Sequence, residues 1–172
     1  MNTEAKTLKN LIERRRSLYP KDYAPTPIAP EILADIMEVA SLAPNHKKTK
    51  PWRFHLFQNE EKAQLAEEMA TLYQTHTPPE LFKEKKYQDI QFKIRHSGAV
   101  ISISAAFSGS VPEWEDLAAV AMGVQNMYLM CTAYGLGCYW SSPMFAEHLS
   151  SFLSLEPSEK CLGLFYIGNL AE

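Results

Sequence analysis

The 172 residues contain no glycine-rich turn between a strand and a helix. Dinucleotide-binding folds set pyrophosphate on a G-x-G-x-x-G turn and P-loops cradle phosphate on a similar one, so the absence argues against both routes to a nucleotide. Cysteine is also scarce. Cys131, Cys138 and Cys161 are odd in number and lack metal-ligand spacing, which speaks against a disulfide framework and fits a reducing cytoplasm. No grouping of His, Asp, Glu and Cys suggests a metal. Nor does one sign of charge dominate: seventeen Lys and Arg against twenty Asp and Glu leave a net charge of -3. No global field is present to gather nucleic acid or an anionic membrane surface, so any anion site must be local. The polar start, Met1 to Lys6, does not read as a secretory leader, and a cytoplasmic protein is expected.

What is present is hydrophobic patterning for one domain over residues 1–172, with 46% apolar content. Ala5, Leu8, Leu11 and Ile12 have helical spacing and run into Arg14-Arg15-Arg16. Four prolines between Tyr19 and Pro30 predict an extended loop. A second helix starts at Pro30 and stops before Pro44. Trp52 to Phe57 alternates as a half-buried strand does. Residues 60–76 and 80–96 read as charged, partly exposed helices, and Ala99 to Ala105 as an inner strand.

Leu117 to Gly137 is about long enough to span a bilayer, at the ~20 residues required. Gln125 and Asn126 at its centre, and Glu113, Glu115 and Asp116 before it, predict a buried helix of a globular protein instead. It ends at Tyr134-Gly135-Leu136-Gly137. A short strand at Cys138 to Trp140, a helix at Phe145 to Leu155 and a last strand at Leu162 to Gly168 complete the chain. This order does not alternate regularly, so an α+β fold is predicted in place of a doubly wound parallel sheet.

Two basic clusters are candidates for chemistry. Arg14-Arg15-Arg16-Ser17 offers guanidinium forks suited to phosphate, though such a run is more often a solvated helix end that complements the negative end of the dipole. Pro44-Asn45-His46-Lys47-Lys48-Thr49-Lys50-Pro51 places cations in a loop braced by prolines, and equally reads as a basic surface turn. His55 and His96 read as ordinary surface or packed histidines, and Trp114 and Tyr128 as packing residues, either of which could line a pocket from a partner subunit.

At this point the chain resembles a known family. Arg15-Arg16-Ser17 after an N-terminal helix, then Leu42-Ala43-Pro44-Asn45-His46 running to Pro51-Trp52-Arg53-Phe54, is similar to the start of nitroreductase-family flavoproteins. Tyr134-Gly135-Leu136-Gly137, Trp140-Ser141-Ser142 and Phe165-Tyr166-Ile167-Gly168 are similar to later landmarks of that family, over essentially the whole chain and nearest to its short, single-domain branch.

The resemblance implies a nitroreductase-like fold with a central, mainly antiparallel sheet, and an entwined homodimer holding two FMN groups at the subunit boundary. It implies that Arg15, Arg16 and Ser17 hold the FMN phosphate and ribityl end or the polar edge of the ring. Pro44, His46 and Lys48 would come close to the ring or its tail, with Trp140, Ser141 and Ser142 across the pocket. Some members add a basic residue beyond the last Ile-Gly strand, which this chain lacks, so the arginines are expected to carry more of the phosphate. The activity implied is hydride transfer from NAD(P)H to an electron-poor small molecule, nitroaromatic or quinone-like, by ping-pong kinetics and with no strictly catalytic side chain. A flavin-binding protein with little turnover, and a non-flavin interaction module, remain as the other readings.

Overall fold

The computed structural model describes residues 2–171. Its centre is a sheet of four strands, Trp52–Phe57 (β1), Ala99–Ala106 (β2), Gly137–Ser141 (β3) and Glu159–Gly168 (β4). They lie in the order β1-β2-β4-β3 with every neighbouring pair antiparallel. β2 is interior and its β-branched run is covered on both faces, as an inner strand's should be. Ile101, Ile103 and Ala105 point to one core and Val100 to the other, following the two-residue period of a strand.

The first core is closed by helices α2 (Pro30–Ala40) and α5 (Glu113–Ala133). Leu33, Ile36 and Ala40 of α2 recur at helical spacing and meet Val120, Val124 and Met127 of α5. The second core lies under α3 (Asn59–His76) and α4 (Glu84–His96), which contribute Leu65, Met69 and Ile94 against Leu164 and Tyr166 of β4. Helices on both faces of an antiparallel sheet make the predicted α+β architecture. Truncating one of these core Leu or Ile side chains to Ala costs about 2–5 kcal/mol.

Two elements depart from the sequence expectation. The helix expected over 145–155 is a 3-10 run over Met144–Ser150 followed by a turn, where Ser150, Ser151 and Ser154 favour local bonds over helix continuation. The helix expected from residue 80 begins at Glu84, because Pro78 and Pro79 first form a separate short turn.

The loop predicted between Tyr19 and Pro30 is anchored by one side chain. Tyr23 is 2% exposed, and its ring lies in a slot left by Gly137 and Gly168, which pair across β3 and β4. A Cβ on either glycine would come within 2.5 or 2.3 Å of that ring. Only glycine fits there. The Tyr23 hydroxyl donates to the Leu18 carbonyl at 2.6 Å, and its backbone bridges to Leu170. Burial, then nearby thiols and phenols, push this phenol well above its ordinary value, so it stays a neutral donor.

Helix α1 (Thr3–Arg14) has no buried residue, leaving Leu8 and Ile12 more than half exposed. On α5 the outward positions include Trp114, Leu117, Ala121, Met122 and Gln125, a mostly apolar stripe open to solvent. No helix among the described residues is long and apolar enough to cross a membrane.

Candidate functional site

Helix α1 stops at Arg14 because Arg15 leaves helical geometry, with ψ at 124°, while its N–H still caps the Leu11 carbonyl. From there the chain runs beside the outer edge of β3, where the Leu18 N–H donates to the Cys138 carbonyl at 3.0 Å. This path sets the Arg15 guanidinium over the ring of Tyr128 on α5, 5.2 Å from its centroid. Among the described residues no carboxylate pairs with Arg15. The Tyr128 hydroxyl accepts the Trp140 N–H at 2.7 Å and lies 3.4 Å from Ser17 Oγ. Trp140 Nε1 in turn donates to the Leu162 carbonyl.

Arg15, Ser17 and Trp140 therefore converge on Tyr128, which the sequence offered as a packing residue or as part of a pocket wall from a partner subunit, not as their common anchor. Arg16 does not join them. Its guanidinium donates to the Glu13 and Arg15 carbonyls at 2.8 and 2.9 Å, engaging the end of α1. Ser141 closes β3 opposite Leu164, and Ser142 is the first exposed residue beyond it. The position of that strand end is fixed by a bulge in β4. The β2–β4 register slips between Ile103 and Ser104 where Gly163 has φ +130°, and a Cβ on Gly163 would meet the Ser141 carbonyl at 2.1 Å.

Pro44, His46 and Lys48 form a second group. They sit in the loop between α2 and β1, where Lys47, Lys48 and Lys50 have φ of 50, 56 and 46°. Left-handed backbone at three bulky residues costs on the order of 1–3 kcal/mol each and persists only where surrounding contacts hold it. Here they do. Thr49 Oγ1 donates to Asp116 at 2.7 Å, Lys47 Nζ to the Ser110 carbonyl at 2.9 Å, and the Lys50 N–H to Asn45 Oδ1 at 3.0 Å. His46 Nδ1 is 2.5 Å from Glu115 Oε2.

Asp116, 1% exposed, also accepts the Ser108 N–H and hydroxyl at 2.9 and 3.0 Å. Burial alone would push its carboxyl up, but the Ser108 and Thr49 donors outweigh that and hold it below the ordinary value of 3.8. The strained lysines are thus tied to the first turn of α5. Lys48 itself has no ion pair or side-chain hydrogen bond among the described residues. Beside this loop, Pro44, His46, Trp114, Ala118 and Met122 border an open cavity of about 420 Å³.

The two groups lie at opposite ends of one helix. Glu115 and Tyr128 are thirteen residues apart on α5, about 20 Å at 1.5 Å per residue. Within one copy of the chain, Arg15, Ser17 and Trp140 are therefore separated from Pro44, His46 and Lys48. Between them runs the exposed stripe of α5. Among the remaining histidines, His55 is exposed on β1 near Glu61, and His96 bonds the Tyr23 carbonyl at 2.9 Å.

A model of the nitroreductase family matches residues 12–169. YfhC of Bacillus subtilis strain 168, provisionally named an NAD(P)H nitroreductase, is 26% identical over 165 residues, 94% of this chain and 83% of its own. The nitroreductase-like family protein from Bacillus cereus superposes with a TM-score of 0.81 at 24% identity, covering 96% of this chain and 86% of that one. The FMN-dependent nitroreductase NfnB from Mycobacterium smegmatis, solved in complex with NADPH, superposes with a TM-score of 0.77 at 17% identity, covering 96% and 88%. At these identities the two structures speak for a shared fold.

Proposed function

The chain belongs to the nitroreductase family, and from that premise we propose that it is an FMN-dependent oxidoreductase passing hydride from NAD(P)H to an electron-poor acceptor. The observation that carries this reading is the Arg15 guanidinium, fixed over Tyr128 with no carboxylate partner among the described residues, beside the Ser17 hydroxyl and the free edge of β3. A positioned, unneutralised guanidinium is what a phosphate or an electron-rich ring edge requires. The donor set Arg15, Ser17, Lys48 and Ser142 fits FMN in kind, since it supplies cations and hydroxyls, while the neighbouring acid Glu115 is engaged by His46.

FMN, when bound, supplies a ring that accepts hydride and gives it up again. The protein's part is to hold and polarise. Arg15 and Ser17 would hold the anionic end or the polar ring edge, Lys48 would present a cation from its braced loop, and Trp140 would wall the pocket. No side chain is assigned a proton in the reaction. A flavin that took hydride from nicotinamide before passing it to the acceptor would give ping-pong order.

The roughly 20 Å between the two groups supports a homodimer, because one copy alone does not bring them together. Ala121 and Met122 lie midway between Glu115 and Tyr128. A two-fold axis there, with the α5 helices antiparallel, sets the Arg15 group of one copy beside the lysine loop of the other. The same pairing covers Leu117 and Met122, both 41% exposed. In this reading residues 1–172 form one FMN-binding domain that works in the cytoplasm, where three free, buried thiols keep company with a reducing poise.

The test is spectroscopic. The protein incubated with FMN and gel-filtered shows bound flavin absorbance, which bleaches on anaerobic mixing with NADH or NADPH and returns on adding a quinone. A colourless protein refutes the flavin site. Bound flavin that neither nucleotide bleaches refutes the reductase and leaves a flavin-binding protein.

A further inference from the structure

At the β1 edge of the sheet, two adjoining cavities of about 510 and 300 Å³ share His55, Leu153 and Ser154. Together they form one groove in the size range of small-molecule sites. Its floor is polar. Arg53 lies directly across from Ser104, and His55 from Ser102, so a guanidinium, an imidazole and two hydroxyls stand on one face of the sheet. Ser104 lines the larger cavity yet is 1% exposed, and its hydroxyl has no hydrogen-bond partner among the described residues. Its neighbour on β4 is Cys161, whose thiol is a weak acceptor and itself lies 3.8 Å from the Gly163 carbonyl. A buried hydroxyl left unpaired destabilises the fold where alanine would not.

The charges of the lining are matched. Arg53 Nε donates to Glu159 Oε1 at 2.7 Å and its Nη1 to the Lys50 and Trp52 carbonyls, while His55 Nε2 stands 3.7 Å from Glu61. A ligand without net charge is favoured there, because a charged one would have to break these pairs. Donor and acceptor sit side by side in the Arg53–Glu159 pair and in each serine hydroxyl. That arrangement suits ligand hydroxyls, which also both donate and accept. Leu153 and Leu155 wall the groove from above, and Trp52 and Phe54, on the other face, reach it round the edge of β1. These apolar surfaces suit the C–H faces of a saturated ring. The upper wall is braced, since Ser154 turns the chain at φ 52° and the Leu155 N–H donates to the Ser150 carbonyl at 2.9 Å.

We infer that this groove binds a neutral cyclic polyol, a pyranose or ribose ring, and that such a ring pairs the Ser104 hydroxyl. β1 is the sheet edge opposite β3, where the Arg15 group lies, and the inference draws on neither the flavin nor the dimer. No bond is made or broken in the groove.

The experiment is a titration of the full-length protein with D-glucose and with D-ribose, followed by two-dimensional NMR with and without FMN. The Trp52 indole N–H and the Ser102 and Ser104 amides shift with saturation, and the tighter of the two sugars fixes the ring size. Ser104→Ala raises Kd roughly tenfold, the scale of one hydrogen bond in a desolvated site, and raises the Tm of the ligand-free protein because the unpaired hydroxyl is gone. Glu159→Gln frees the Arg53 charge and moves the preference from glucose toward glucuronate. Absence of a saturable shift with either sugar overturns the proposal, as does an equal Kd in the parent and Ser104→Ala. A parent that prefers glucuronate overturns it too. Shifts produced by an alanine tetrapeptide and not by either sugar would give the groove to an extended chain and overturn it as well.

Discussion

Replacing Asp116 with Asn tests how the lysine loop is held, and its effect follows from three distances. The carboxylate accepts bonds of 2.7, 2.9 and 3.0 Å from Thr49 and Ser108 in a site 1% exposed. Asn keeps one oxygen, which can face the two Ser108 donors, while its amide meets the Thr49 hydroxyl, which rotates to accept. Geometry survives and charge assistance is lost, at a cost of about 2 kcal/mol. For a chain of this size that lowers Tm by roughly 4–8 °C. The pH dependence has a definite sign. The folded carboxyl is held below its ordinary value of 3.8, so its contribution is fully present above that value and fades as pH falls through the lower, folded one. Thermal unfolding by circular dichroism, at fixed protein concentration and without FMN, should show a constant gap between parent and variant from about pH 5 upward. The gap should close below pH 3.8. A gap absent at neutral pH, or one that persists unchanged in acid, refutes the assignment of Asp116 as the charged anchor.

Gly163→Ala places a methyl 2.1 Å from the Ser141 carbonyl at φ +130°, so the end of β3 must move. The expected loss is about 3 kcal/mol or more of stability in urea unfolding, with flavin retention falling as Ser141 and Ser142 shift. Arg15→Ala removes a half-buried guanidinium that no carboxylate pairs among the described residues, and weakens FMN binding roughly thirtyfold by fluorescence titration, the scale of one charge-assisted bond. Arg14→Ala, at the exposed end of α1, should change the same titration little, and equal losses in the two variants would contradict the register of the arginine motif.

Periodicity carried most of the architecture. The alternation at Trp52–Phe57, the β-branched run at Ala99–Ala106 and the apolar stretch through α5 each mark an element whose hydrophobic pattern is its packing pattern. It failed where serines and prolines set local bonds against helix propagation, as at 144–154 and 78–83. The candidate site was legible as segments but not as a geometry. Nothing in the order of residues says that Arg16 caps α1 while Arg15 reaches Tyr128, since both choices satisfy a guanidinium. Asp116 and Glu115 looked like helix-start acids, a role that hides their bonds to Thr49 and His46 from loops sixty-odd residues away. Gly168 was visible only as a landmark, and its reason lies in the Tyr23 ring pressed against it.

The central claim is that one flavin needs both ends of α5, and hence two copies of the chain. Met122→Glu places a charge at the midpoint of the exposed stripe, where a two-fold contact would bury it, while leaving each copy's own cores intact. Sedimentation of parent and variant after loading with FMN, recorded at protein and flavin wavelengths together, measures assembly and cofactor at once. The account predicts a flavin-bearing dimer for the parent and a colourless monomer for the variant. A monomer that sediments with its flavin, in either protein, would contradict it.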